Sequence, residues 1–313
     1  MHQSAQVIGP EQDDAGSDGE IIVFLLWHLG DVLIATALLP ELEARHGRKL
    51  SFATTAPCVP IVAHHPSLAR IRVVDRVAPV VMTLPMCVDL REMHERLYPR
   101  AAAVYNLHLP VKLHQMPHHI VELWAREARI DKRWDELRPA YYPGSPGRGP
   151  EVEGEYLVLG NGGSARGKHW PAERWQNAIG ALRERHAALR FVQLGVASDP
   201  LLDGVEDLRG TSIDESHRLL RGARGCLTTD SFLAHLSAAA DRPTIVLFGP
   251  TCPRHFRPLG GSHVIPLGGH GFRTPCTRNL CRLTPGSPCH AFPGTKRVIA
   301  AVDRILARAP RPA

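Results

Sequence analysis

The stretch "FLLWHLGDVLIATALLPEL" at residues 24–42 decides the fold and raises the first question about function. Residues 21–27 are apolar throughout, which is typical of a strand buried on both faces, and residues 31–46 are predicted to form a helix. Gly30 and Asp31 lie between them. A buried strand followed directly by a helix opens a βαβ unit, so this acid lies at the sheet edge where α/β proteins bind ligands.

The composition is that of a globular protein with room for two domains. The 313 residues are 44% apolar and 22% charged, with a formal net charge of +6. The basic residues are spread out, without a block interleaved with aromatic residues, so no nucleic-acid partner is expected. No apolar run reaches the ~20 residues of a membrane span.

The first 20 residues and the cysteines bear on location. Residues 1–20 lack a basic region followed by an apolar one, so they are predicted to be a disordered tail and not a secretory signal. Seven cysteines in a chain without a signal favour the reducing cytoplasm over a disulfide framework. Peripheral contact with the inner face of a membrane stays open, because the chain is basic.

Strand and helix signals alternate in two long stretches, which predicts an α/β fold with two parallel sheets. Residues 21–140 are predicted to form a first Rossmann-like domain and residues 155–294 a second one. The Pro- and Gly-rich residues 141–154 between them are the predicted linker. Residues 295–313 are predicted to be a C-terminal amphipathic helix and tail. Two such sheets facing each other would form a cleft lined by strand-to-helix junctions.

Asp31 has two interpretations. As a helix N-cap it would contribute ~1 kcal/mol to stability, a common role for Asp. Alternatively its carboxylate is a general base, with Gly30 allowing a sharp turn and close approach to a ligand. The helix dipole keeps such a carboxylate ionised but lowers its basicity, so a base here needs some desolvation.

The loop "GNGGSARGKHWPAERW" at residues 160–175 is a candidate anion site. Gly162 and Gly163 allow close approach of the backbone. The candidate anion-binding side chains are Ser164, Arg166 and Lys168. Cations before a helix N-terminus are electrostatically unfavourable unless an anion such as a phosphate lies among them. The alternative is a solvated basic loop, and the glycine spacing fits neither a P-loop nor a GxGxxG fingerprint.

Two later stretches contain further candidate sites, and the first of them is residues 228–251. In "TTDSFLAHLSAAADRPTIVLFGPT" (228–251), Asp230 and Ser231 lie at a strand-to-helix junction, with His235 one helical turn on. This is a second candidate anion site, or else a plain capped helix with a packed histidine.

Cysteines near the C-terminus are candidate ligands for zinc or iron. The thiols are those of Cys276, Cys281 and Cys289, with Cys252 or His290 as the fourth ligand. No CxxC pair is present, so reduced thiols without a metal are the alternative.

Four of these stretches together resemble glycosyltransferase family 9, the ADP-heptose heptosyltransferases of lipopolysaccharide core assembly and their relatives. In order, the matching segments are "LGDVLIATALLPEL", "KHWPAERW", "TTDSFLAHLSAAADRPTIVLFGPT" and "CTRNLCRLTPGSPCHAFP". The resemblance covers residues 21–306. It implies a GT-B arrangement of two Rossmann-like domains, the first binding the acceptor and the second the nucleotide-sugar, with inversion at the anomeric carbon and no catalytic metal.

The resemblance also implies roles for individual residues. Asp31 matches the proposed base that takes the proton of the acceptor hydroxyl. Ser164 and Lys168 match the groups that hold the phosphates of the donor, and Lys168 would neutralise charge on the departing diphosphate. The residues matching the segment that contacts the sugar and diphosphate are Asp230, Ser231 and His235.

Three features depart from the family pattern or add to it. Phe232 replaces a glycine next to the sugar, which narrows the donor pocket, and Arg273 replaces a further cysteine, which weakens the metal proposal. The stretch "NLHLPVKLHQMPHH" (106–119) lies where acceptor contacts are expected. His108 and His118 are the histidines assigned to the acceptor side.

The leading hypothesis is therefore an inverting glycosyltransferase that uses ADP-heptose. Its acceptor is expected to be a saccharide such as the lipopolysaccharide core, with a protein hydroxyl or a small natural-product scaffold as alternatives. The competing class is a non-catalytic protein that binds a nucleotide-sugar. No cofactor is expected for catalysis, and zinc or iron at the cysteines would be structural.

Overall fold

The chain folds into two compact units, Met1–Gly144 and Ser145–Ala313, which divide inside the predicted linker. The computed structural model describes residues 4–9, 17–26, 28–74, 93–108, 118–144, 149–163, 166–260, 263–269 and 291–308. Each unit contains a parallel β-sheet with helical crossovers, which confirms the predicted α/β class with two parallel-sheet domains. No helix within the described ranges is long and apolar enough to cross a membrane.

Within the described residues, unit 1 has a five-stranded sheet. Its strands are β1 (Gln6–Ile8), β2 (Ile21–Phe24), β3 (Leu50–Thr54), β4 (Leu68–Val73) and β5 (Ala103–Asn106). Its helices are α1 (Leu29–Ala35), α2 (Leu39–His46), α3 (Val59–Val62) and α4 (Ile120–Glu127). The strand order is β1-β4-β3-β2-β5, and every pair is parallel.

The single helix predicted over residues 31–46 is two helices. A 3₁₀ turn, Thr36–Leu38, separates α1 from α2, and Pro40 occupies the first turn of α2. Proline has no N–H and its ring crowds the carbonyl four residues earlier, here that of Thr36, so one straight helix is unfavourable. Gly47 ends α2 in the left-handed region with φ +61°.

The prediction that residues 1–20 form a disordered tail is wrong for its described part. Gln6–Ile8 form β1, which adds a parallel edge strand to β4. Just before β2, the Glu20 carboxylate is buried and accepts hydrogen bonds from Ser51 at 2.7 Å and from Arg72 at 2.9 and 3.0 Å. Burial raises the pKa of Glu20, but the bonds from Arg72 and Ser51 outweigh it, so the pKa is lowered overall.

The described part of unit 2 has a six-stranded sheet. Its strands are β6 (Tyr156–Gly160), β7 (Arg190–Gln193), β8 (Glu206–Asp207), β9 (Gly225–Thr229), β10 (Thr244–Phe248) and β11 (Val264–Gly268). Its helices are α5 (Ala172–Arg185), α6 (Ile213–Gly222), α7 (Phe232–Ala239), α8 (Pro253–Phe256) and α9 (Thr295–Arg308). The order is β11-β10-β9-β6-β7-β8, again with every pair parallel.

The strand order of each sheet identifies its switch point, the place where the order of the strands reverses. In unit 1 the chain passes from β2 outward to β3 and β4 and returns on the other side of β2 as β5. In unit 2 it passes from β6 to β7 and β8 and returns on the other side of β6 as β9. Ligands of open α/β sheets bind outside the carboxyl ends of the strands at such a reversal. The β2/β5 and β6/β9 switch points are therefore the candidate sites.

Candidate functional site

Asp31 follows β2 at the first switch point. Helix α1 begins at Leu29, with His28 in the extended N-cap position, so Asp31 is the third helical residue. The N-cap interpretation of Asp31 is therefore wrong, because the helix starts two residues earlier than predicted. Gly30 is helical too, so the sharp turn predicted there is not made at that residue.

The Asp31 carboxylate lies in a partly enclosed environment. The residue is partly exposed, and it is the acid in the first turn of α1, where the helix dipole favours the ionised form. Its charge reaches the buried thiol of Cys58. Burial raises the pKa of that thiol, and the charge of Asp31 raises it further. An ionised carboxylate with a partly exposed surface can accept a proton from a bound hydroxyl group.

Leu26 anchors the loop between β2 and α1. Its N–H donates to Nε2 of His108 at 3.1 Å. Its carbonyl accepts the hydroxyl of Thr55 at 2.6 Å and the backbone N–H of Thr55 at 3.1 Å. The ends of β5 and β3 thus hold the end of β2 from both sides.

The two histidines assigned to the acceptor side differ in position. His108 lies two residues after the end of β5 and bonds the main chain at the switch point. His118 lies just before α4, and its Nδ1 is 3.1 Å from Oε2 of Glu122, an ion pair when the imidazole is protonated. His118 therefore contacts its own helix, and the contacts described for it do not bring it to Leu26.

In unit 2 the loop after β6 packs tightly against its neighbours. A Cβ atom on Gly162 would lie 2.2 Å from Oδ2 of Asp199, and one on Gly163 would lie 3.3 Å from Cβ of Lys168. Thr229, at the end of β9, donates its hydroxyl to the carbonyl of Gly162. The two strands of the switch point are thus joined through a glycine that has no space for a side chain.

An ion pair lies at this second switch point. Nζ of Lys168 is 3.0 Å from Oδ2 of Asp230, whose side chain is 6% exposed, whereas that of Lys168 is 24% exposed. The same carboxylate oxygen accepts the hydroxyl of Thr251 at 2.7 Å. The ring of Phe256 lies 5.9 Å from Nζ, within the range of a cation–π contact. A cation held this way, with part of its surface open, can bind a phosphate oxygen.

Ser231 immediately precedes α7, which begins at Phe232, and His235 lies within that helix. Ser231 is the N-cap residue, and its hydroxyl lies 3.3 Å from that of Thr228. His235 is buried, and among the described residues its Nδ1 has no hydrogen-bond partner. Burial lowers the pKa of His235 to about 4, so the imidazole is neutral at pH 7. A neutral, unpartnered ring nitrogen can donate to or accept from a ligand.

Several predicted site residues lie outside the described part of the chain. These are Ser164, Cys276, Cys281 and Cys289, and for Arg166 the backbone alone is described. Cys252 is described as a partly exposed free thiol directly before α8. Within the described ranges no three His, Cys, Asp or Glu side chains are grouped as metal ligands would be. The predicted cysteine site is therefore not tested.

The sequence interpretation missed Thr251 and Phe256. Both follow β10, whose neighbour in the sheet is β9. The quoted segment "TTDSFLAHLSAAADRPTIVLFGPT" ends at Thr251, but no role was predicted for that residue. Its role depends on β10 lying beside β9, which places the carboxyl ends of the two strands together. Strand adjacency is the signal that identifies it.

Two units that each contain a parallel sheet with helical crossovers define a two-domain α/β protein, as predicted. The family model for glycosyltransferase family 9 (heptosyltransferase) matches residues 127–286, just over half of the chain. The chain belongs to this family.

One curated relative is similar in sequence to part of this chain. Lipopolysaccharide heptosyltransferase 1 of Pseudomonas aeruginosa is 34% identical over 137 residues, which are 42% of this chain and 38% of that protein. The match thus spans well under half the length of this curated relative.

Two solved structures share the fold over nearly the whole chain. Escherichia coli heptosyltransferase WaaC with ADP is 20% identical, with a TM-score of 0.61, and the match covers 91% of this chain and 99% of that one. The dodecameric iron-containing heptosyltransferase TibC, in complex with ADP-D-β-D-heptose, is 15% identical, with a TM-score of 0.62. That match covers 92% of this chain and 76% of TibC.

Proposed function

We propose that this protein is an inverting glycosyltransferase that transfers heptose from ADP-heptose to a hydroxyl group of the lipopolysaccharide core. Membership of family 9 supports glycosyl transfer. The name of the curated relative supports a heptosyl donor and a lipopolysaccharide acceptor.

The observation that carries the proposal is the Lys168–Asp230 ion pair at the β6/β9 switch point. A diphosphate needs a cation, and the Lys168 ammonium has three N–H donors, of which Asp230 takes one. Asp230 and Thr251 hold the ammonium in place before the donor arrives, so little ordering is left to do on binding. Lys168 would then stabilise the charge that grows on the departing diphosphate.

Asp31 is proposed as the general base. It accepts the proton of the acceptor hydroxyl as that oxygen forms a bond to the anomeric carbon. The bond from that carbon to the diphosphate oxygen breaks in the same displacement, and ADP leaves with its electron pair. A single displacement inverts the configuration.

The remaining predicted residues are assigned to binding. Ser164 and Arg166 are proposed to contact the phosphates beside Lys168. Asp230 accepts hydrogen bonds and cannot donate to a phosphate, so it suits sugar hydroxyls and the orientation of Lys168. Ser231 and His235 are proposed to contact the donor from α7, and His118 the acceptor from the turn before α4.

A transfer assay tests the proposal. The protein is incubated with ADP-heptose and lipopolysaccharide from cells that lack heptosyltransferase 1, and ADP release is measured together with acceptor mass. We expect equal amounts of ADP and of acceptor heavier by one heptose, and no product with UDP- or GDP-sugars. Tight ADP binding without transfer would instead support a non-catalytic nucleotide-sugar-binding protein.

Two further proposals concern metal and membrane. We propose a structural zinc or iron held by Cys252, Cys276, Cys281 and Cys289, and no metal in catalysis. Metal analysis of the parent protein beside a Cys276→Ser/Cys281→Ser variant measures this, and equal metal content would contradict it.

We also propose peripheral contact with the cytoplasmic face of a membrane. Salt-sensitive flotation with anionic vesicles tests that contact, and absence of flotation at low salt would contradict it.

A further inference from the structure

The hydrogen-bond ladder between β2 and β5 ends in an unusual way. Phe24 and Asn106 are its last register pair, and the N–H of Leu107 donates to the carbonyl of Phe24 at 3.0 Å. The next bond of a parallel ladder would join the N–H of Leu26 to the carbonyl of Leu107. Instead, that carbonyl accepts the indole N–H of Trp124 at 2.8 Å, and the N–H of Leu26 donates to His108. The strands separate here, and two side chains satisfy the backbone groups that the separation exposes.

The bond to His108 fixes the start of the loop that leads into α1, the helix that carries Asp31. Leu26 is buried, and Thr55 holds its carbonyl, so both of its backbone groups are bonded. The first helical bond of α1 runs from the N–H of Val32 to the carbonyl of His28, two residues after Leu26. The first turn of α1 therefore takes its position from this anchor.

His108 is itself held in one orientation. Its backbone N–H donates to Oδ1 of Asn106 at 3.0 Å, and Nδ2 of Asn106 lies 3.0 Å from Nδ1 of His94. Its ring packs edge-on against Phe24 at 5.5 Å between ring centres. Because Nε2 accepts from Leu26, His108 carries its proton on Nδ1 and is neutral.

We propose that His108 is a positioning residue that holds the β2–α1 loop so that Asp31 meets the acceptor hydroxyl. It acts through the backbone of Leu26 and not by contact with the acceptor, which changes the acceptor-side role expected from the sequence. This inference rests on the proposed function in assigning the proton transfer to Asp31. The anchoring of the loop does not depend on that assignment.

The test compares His108→Gln with His108→Met. The two side chains are similar in length, but the glutamine oxygen can accept the N–H of Leu26 and the methionine thioether is a weak acceptor. Hydrogen–deuterium exchange of residues 25–35 reads the anchor directly. We expect exchange there to rise at least about tenfold in His108→Met and to stay within about threefold of the parent in His108→Gln. Equal exchange in the two variants would overturn the anchoring.

Kinetics with ADP-heptose and acceptor read the coupling to the reaction. We expect His108→Met to lower kcat about tenfold, with KM for both substrates and the ADP dissociation constant unchanged, and His108→Gln to recover most of the rate. A rise in acceptor KM with unchanged kcat would overturn positioning in favour of direct contact. A fall in kcat that only follows a lower folded fraction, measured by thermal unfolding, would also overturn it.

Controls separate this inference from the proposed function. His46→Phe removes another histidine bond to β5, the one to the hydroxyl of Tyr105 at 2.8 Å, and should leave kcat and exchange over residues 25–35 unchanged. If the parent protein transfers no heptose, the proposed function fails while the exchange experiment still decides the anchor. If the parent transfers heptose and the His108 variants match it, this inference alone fails.

Discussion

The two switch points are held together by different kinds of interaction. At β2/β5, neutral side chains bond the main chain: His108 binds the N–H of Leu26 and Thr55 its carbonyl. At β6/β9, the hydroxyl of Thr229 also bonds a main-chain carbonyl, but the buried carboxylate of Asp230 adds an ion pair with Lys168 and a bond from Thr251. The first arrangement fixes where a backbone lies, and the second fixes where a charge lies.

Under the proposed function, this difference matches the two substrates of a glycosyl transfer. A neutral acceptor hydroxyl needs a base at a defined position, so geometry matters most at the first site. A diphosphate donor brings negative charge, so a held cation matters most at the second. Substitutions in the first site should therefore change kcat, and substitutions in the second should change the affinity for ADP.

The largest effect is expected from Asp31→Asn, which keeps the shape of the side chain and removes the proposed general base. We expect kcat to fall by about 10²- to 10⁴-fold, the usual contribution of general base catalysis, with unchanged ADP affinity. Steady-state kinetics and calorimetric titration with ADP measure the two quantities. Turnover at the parent rate would show that Asp31 is not the base.

Lys168→Ala should weaken ADP binding by about 10- to 100-fold, the size of one lost hydrogen bond to a charged group. It also leaves Asp230 without its cation, so Lys168→Ala/Asp230→Asn should recover part of the affinity. Lys132→Ala removes an exposed lysine that pairs with Glu41 in unit 1, and serves as the control. An unchanged ADP dissociation constant in Lys168→Ala would break the contrast between the two sites.

Acid should destabilise unit 2 more than unit 1. Burial lowers the pKa to about 4 for His65 in unit 1 and for both His217 and His235 in unit 2. The unfolded chain binds these protons near pH 6.5 and the folded chain only near pH 4, so stability falls as the pH drops through that window. Protonation of each histidine in the unfolded chain should lower the free energy of unfolding by on the order of 1–3 kcal/mol across this window.

Urea unfolding at pH 7 and pH 5, followed by hydrogen exchange in each unit, measures this pH dependence. The variant His217→Gln should show a smaller loss of stability in unit 2 between the two pH values. Equal losses in the parent and the variant would show that the pKa of His217 is the same in the folded and the unfolded chain.

The smallest effect is expected from Thr251→Val, which keeps the shape and removes the hydroxyl that donates to Asp230. One hydrogen bond contributes about 1 kcal/mol, so ADP should bind about fivefold more weakly while kcat stays within twofold. A titration with ADP beside a saturated rate assay measures both. A larger change in kcat than in affinity would place Thr251 with the reacting groups instead.

Regular alternation made much of the fold predictable. Apolar runs such as residues 156–160, each followed by an amphipathic helix, indicated the strands and their parallel pairing. The helix break at Pro40 was not predicted, because a single proline there outweighs the apolar pattern around it. The strand Gln6–Ile8 was not predicted either, because three residues are too few to show an alternating pattern. Short strands gain their stability from the neighbour they pair with, which a local pattern does not contain.

The candidate sites were predicted less completely than the fold. Asp31, Lys168 and Asp230 were proposed as site residues because they come after strands, where the polypeptide leaves the sheet. The pairing of Lys168 with Asp230 and the bond from Leu26 to His108 join positions more than 60 residues apart. Such contacts depend on strand order, which local sequence patterns do not show.

The short first strand, Gln6–Ile8, has a practical consequence for handling this protein. It covers the outer edge of β4, a six-residue strand whose N–H and C=O groups would otherwise be open to another chain. Open strand edges promote aggregation and strand exchange. Removing the first nine residues to shorten the expressed protein would therefore lower its solubility. A purification tag is better placed at the C-terminus.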